Sequence, residues 1–67
     1  MDSCPLNKRQ IEIIEWAAKG KTIEETSEIL GLKKFTSQVY AREARYKTGS
    51  ATMANLVYVA VKNHWIE

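Results

Sequence analysis

The polar and apolar positions of this chain fall into four helical runs. The first opens at Asn7, a good N-cap residue, with Gln10 three positions later completing a capping-box pattern. Leu6 precedes the cap and is placed to staple onto Ile11, while Pro5 sits just ahead, where it interrupts nothing helical. Ile11, Ile14 and Ala18 recur at spacings of three and four, which predicts one buried stripe flanked by Ile13 and Trp16. Gly20 provides the stop. The second run repeats this punctuation. Thr22 caps it, Glu25 completes a second box, and Gly31 ends it after about two turns. Its predicted inward face is Ile23, Thr26, Ile29 and Leu30, with Glu24, Glu25 and Glu28 outward.

Only Leu32 and one or two further residues separate Gly31 from the third run, about residues 34 to 47. A short helix, a glycine-bearing tight turn and a longer helix form a helix-turn-helix pattern. On the third run Gln38, Arg42 and Arg45 share a face with Lys34 or Phe35 one turn earlier. Ser37, Tyr40, Ala41 and Ala44 fall on the opposite side. Gly49 and Ser50 break the pattern. The fourth run, about residues 52 to 63, is apolar almost all round. One of its faces is expected on helices one and three. The remaining apolar surface predicts a second partner, which in so small a protein points to another chain. Ala54, Tyr58 and Val61, at i, i+4 and i+7, are the predicted dimer seam.

Charge sharpens this picture. The net charge is only +2, but Lys33, Lys34, Arg42, Arg45 and Lys47 stand against the single acid Glu43 between Gly31 and Lys47. Residues 1–30 hold four bases and six acids. A basic helix in a small domain suggests a surface for phosphates. At 67 residues the chain is one domain with a marginal core. Its single cysteine, Cys4, excludes an internal disulfide and any multi-cysteine zinc site, and it reads as an incidental thiol. There is no phosphate-binding glycine loop, no zinc spacing and no nucleophile–base pair, so the sequence predicts no enzyme, no metal and no cofactor. His64 is expected on the surface or at a helix end. No run of about 18 apolar residues and no charged-then-apolar leader is present, which predicts a cytoplasmic protein without a membrane partner.

The order of these pieces resembles the LuxR/GerE-type helix-turn-helix domain, in its quorum-sensing branch, over residues 6–66. The family opening Leu-x-x-Arg-Glu-x-Glu is similar to Leu6-Asn7-Lys8-Arg9-Gln10-Ile11-Glu12. Trp-x-Ala-x-Gly-Lys-Thr resembles Trp16-Ala17-Ala18-Lys19-Gly20-Lys21-Thr22, and Glu-Ile-Ala-x-x-Leu resembles Glu25-Thr26-Ser27-Glu28-Ile29-Leu30. Gly31-Leu32 fits the turn, and Thr36 the threonine of the recognition helix. Val57, Ala60 and Ile66 fit the family's ending. Departures fall at Lys33 for a serine N-cap, Ser37 for valine, Tyr40 for histidine and Thr48 for leucine. Met53 replaces a common Arg or Lys, and His64 a common glycine.

The resemblance implies an all-α, four-helix domain that binds double-stranded DNA as a homodimer, with the third helix in the major groove and the fourth at the dimer contact. It implies base contacts from Gln38, Val39 and Arg42. It implies phosphate contacts from Lys21, Thr22, Lys33, Lys34 and Thr36, to which the charge pattern adds Arg45 and Lys47. Phe35 is expected to pack in the turn, with contact to a thymine methyl or the backbone as the other reading. Trp16, Tyr40 and Trp65 are expected in or over the core. Family members usually carry an N-terminal ligand-binding or phospho-receiver domain, whereas Met1 stands only five residues before the motif. The expectation is therefore an excised domain or a stand-alone regulator, with no small-molecule ligand in this chain. The competing function is a protein-interaction module that pairs with, and inhibits, a full-length LuxR-type regulator or another repressor.

Overall fold

The computed structural model describes residues 4–67. It has four helices and, among the described residues, no strand: α1 (Lys8–Ala18), α2 (Ile23–Leu30), α3 (Lys34–Thr48) and α4 (Met53–Lys62). Both capping boxes form. Asn7 Oδ1 accepts from the Gln10 amide at 2.8 Å, and the Asn7 amide donates to Gln10 Oε1 at 3.0 Å. Thr22 Oγ1 accepts from the Glu25 amide at 3.1 Å, and the Thr22 amide donates to Glu25 Oε1 at 2.9 Å. Thr52 caps α4 through a bond from the Asn55 amide. Lys33 caps α3 without any side-chain hydrogen bond, as its departure from serine predicts.

Helix ends are equally regular. Gly31 adopts φ +70 and lets the Leu32 amide reach back to the Ser27 carbonyl, closing α2 in a Schellman-type turn. At the end of α4 the same turn is made by His64, at φ 61, with Trp65 donating to the Ala60 carbonyl at 2.8 Å. His64 is the one non-glycine residue with positive φ among the described residues. The family's common glycine at this position has no such steric cost.

The core gathers Leu6, Ile14, Ala44, Leu56, Ala60 and Ile66, with Ile11, Met53, Val57 and Trp65 packed against it. α1 and α3 each touch all the other helices, whereas α2 and α4 do not touch each other. Between them runs an apolar groove of about 420 Å³, lined in part by Ile13, Ile23, Met53, Ala54 and Val57.

Several inward positions differ from the sequence pattern. Ala18 is exposed, and Ile13 takes its place in the interior at 1% exposure. The α1 stripe therefore turns by one residue and ends a turn early. Ile29 is 46% exposed, while Ser27, opposite in polarity, is buried. Ser27 is inside because it has a partner. Its hydroxyl lies 2.7 Å from that of Ser37, which is fully buried on the inward face of α3. Two of the departures from the family are thus accommodated by hydroxyl pairs: Ser37 with Ser27, and Thr48 with the buried Ser50 at 2.7 Å. Gln10, also fully buried, donates from Nε2 to the Tyr40 carbonyl at 3.3 Å, which ties α1 to α3. A carboxylate at that position has no proton to donate.

Candidate nucleic-acid interface

α3 buries Ser37, Ala41 and Ala44 and thereby fixes which residues point away from the domain. At about 100° per residue, the side opposite that buried line carries Phe35, Val39, Arg42 and Tyr46, with Gln38 beside them. Gln38 and Arg42 are exposed and Val39 is half-buried. The three expected base-contact residues therefore lie on one arc away from the buried line, with Val39 the least accessible of them. Arg45 and Lys34 lie on one flank of that arc, and Thr36, half-buried, and exposed Lys47 on the other. Arg45 is only half-exposed, and its Nε is buried without a hydrogen-bond partner.

The N-terminal end of α3 carries Lys33 and Lys34 next to first-turn amides that no side chain caps. Lys34 Nζ is not idle: it pairs with Glu24 Oε2 at 3.1 Å, and both side chains are more than half exposed. Any phosphate at Lys34 must compete with that carboxylate. At the start of α2, Lys21 is exposed. The Thr22 oxygen accepts from Glu25, which leaves the hydroxyl proton to donate elsewhere. The hydrogen bond from the Thr22 amide holds the Glu25 carboxyl below the usual carboxylate range, helped by the nearby Lys21 charge.

Phe35 contradicts the packing expected of it. It is 73% exposed and takes no part in the turn or the core. Tyr46, at 89%, is the most exposed large hydrophobic residue among those described, and no expectation above concerns it. The spacing 35, 39, 42, 46 is a helical stripe that marks both, but a stripe of two aromatics, a valine and an arginine is ambiguous until the buried side of the helix is known. Trp16, Tyr40 and Trp65 are half-buried, in keeping with lids over the core. Lys19 Nζ sits 4.8 Å over the Trp16 ring.

On α4, Leu56 and Ala60 face inward. Ala54 is exposed, Tyr58 is 61% and Val61 46% exposed, so the predicted seam residues lie together on the outer side. Among the described residues no cluster of His, Cys, Asp and Glu has the makings of a metal site, and no helix is long and apolar enough to cross a membrane.

No family model matches the chain. Individual relatives do. The quorum sensing-dependent HTH-type transcriptional regulators VjbR of Brucella ovis, Brucella abortus and Brucella suis are each 32% identical to it over 56 residues. That alignment takes in 84% of this chain. The chain is a LuxR-type helix-turn-helix domain. It spans about a fifth (22%) of the length of the curated relatives it matches. Within this LuxR-type domain, the turn at Gly31 and Leu32 joins α2 to α3, and Arg42 stands exposed on the outward side of α3.

Proposed function

We propose that this LuxR-type domain binds double-stranded DNA with sequence preference and serves transcription regulation. The observation that carries the reading is the division of α3: a small, hydroxyl-bearing face locked onto the domain, and Gln38, Val39 and Arg42 on the side turned away from it. A helix in the major groove needs that division, because arginine matches guanine and glutamine matches adenine only when free to reach base edges. Lys33, Lys34, Thr36, Arg45 and Lys47 on the flanks, with Lys21 and Thr22 at the start of α2, are the phosphate contacts of this reading. Ala54, Tyr58 and Val61 on α4 form its homodimer contact, and two copies then read a pseudo-palindromic site.

Binding to random and genomic duplexes at two salt concentrations tests it. Affinity is expected to fall steeply with salt, since each neutralised phosphate releases counterions. Arg42→Ala is expected to lose about 1–3 kcal/mol of specific binding and to relax one base position. An unchanged binding profile for this variant removes Arg42 from the base-reading set.

The same exposed stripe on α4 supports a second reading, in which the domain pairs with a full-length LuxR-type regulator and disables it. Absence of DNA binding, together with a complex with purified full-length regulator that Tyr58→Asp abolishes, favours that reading.

A further inference from the structure

We propose that Phe35 is a specificity-determining residue that takes the 5-methyl group of a thymine in the major groove. The inference rests on the reading of α3 as the groove helix. Phe35 stands 73% exposed in the first turn of α3, and no part of the domain covers it. It shares the outward arc with Val39 and Arg42, at spacings of four and three. The N-terminal residues of a recognition helix are the ones that meet base edges. Phe35 and Arg42 are seven positions apart, about 10 Å along the helix, or roughly three base-pair steps. Lys33 and Lys34 precede it directly, and α3 has no side-chain cap, so the positive end of the helix draws the phosphate backbone toward this turn.

The chemistry of the ring then selects the target. A phenyl group offers neither donor nor acceptor. The thymine methyl is the one apolar group that the major groove presents. A cytosine at the same step would have its amino donor desolvated against the ring with nothing to accept from it. A methyl group buried against the ring contributes about 0.8 kcal/mol, a factor of about four in affinity.

The test uses the full chain and a preferred duplex selected from a random library. Each thymine is replaced in turn by deoxyuridine, which removes only the methyl, and binding is read by fluorescence anisotropy. Wild type is expected to lose about fourfold at one thymine per half-site, roughly three base pairs from the position that Arg42→Ala relaxes. Phe35→Ala is expected to bind the thymine and uracil duplexes equally, and Arg42→Ala to keep the distinction. The proposal is overturned if wild type discriminates at no thymine, or if Phe35→Ala still discriminates. It is equally overturned if Phe35→Ala leaves DNA binding intact and abolishes self-association, which makes the ring a protein contact. Failure to select any duplex over random DNA overturns the groove reading of α3 itself, and this proposal with it.

Discussion

Replacing Ser27 by alanine is expected to harm this domain more than replacing Ser37, although the two hydroxyls form one hydrogen bond. The asymmetry follows from their other partners. Ser27 Oγ also lies 2.7 Å from the Ile23 carbonyl, whereas Ser37 Oγ has Ser27 alone. In Ser37→Ala the remaining Ser27 hydroxyl still donates to Ile23. The net loss is one hydrogen bond, about 0.5–1.5 kcal/mol, reduced by the better helix propensity of alanine. In Ser27→Ala the fully buried Ser37 hydroxyl keeps no partner and pays its desolvation, about 1–3 kcal/mol. The double variant removes both polar groups and should recover most of that loss, because two apolar groups of similar shape need no bond. Urea titrations followed by helical circular dichroism measure all four corners of the cycle. For a domain of this size each kcal/mol is also about 4–8 °C in melting temperature. The expected order of stability is double variant at or above Ser37→Ala, and Ser37→Ala above Ser27→Ala. Equal and additive losses would refute the reasoning, because they mean that the two hydroxyls do not depend on each other.

Three further outcomes follow from the same geometry. His64→Gly should stabilise the domain by about 0.5–1 kcal/mol, since the left-handed backbone costs histidine about 1–2 kcal/mol and glycine gives back part of that in entropy; an unchanged or lower melting temperature contradicts this. Glu25, whose folded-state pKa lies below its unfolded value, adds stability that is complete above about pH 4.3 and is lost as pH falls through the lowered value. Glu25→Gln should therefore flatten that part of the acid unfolding curve, and a curve of unchanged slope would count against the bond to Thr22. Glu24→Gln frees Lys34 and removes a negative charge beside the start of α3, so DNA affinity should rise about two- to fivefold at low salt with little change in stability; weaker binding would mean that the Glu24–Lys34 pair positions the lysine rather than competing for it.

Much of the architecture was legible because its signals are local. Asn7 with Gln10 and Thr22 with Glu25 fix two helix starts through contacts within four residues, and both boxes form as the residues imply. The basic run on α3 and the apolar excess on α4 were likewise countable in the chain. Ala18, Ile29 and Phe35 were not, because each is apolar, sits at helical spacing, and is nevertheless outside. Periodicity gives the width of an apolar stripe but not the few tens of degrees that decide which edge of it meets a neighbour. The buried line of α2 runs through Thr26 and Ser27, and Ile29 lies about 110° round the helix from it.

By itself the sequence determined four helices, the caps of the first two, the helix-turn-helix spacing and a third helix with a basic side. These depend on backbone hydrogen bonding and charge over a turn or two. Only the tertiary structure decided that Ser27 and Ser37 face each other, that Gln10 reaches the Tyr40 carbonyl and that Phe35 stands clear of everything else. Each of those depends on where a second helix lies, and the distance in sequence between partners, ten residues for the serines and thirty for Gln10 and Tyr40, places them beyond any local rule. Ser37, which looks like a weakness of α3 in the sequence, is in the fold a hydrogen-bonded link between α3 and α2.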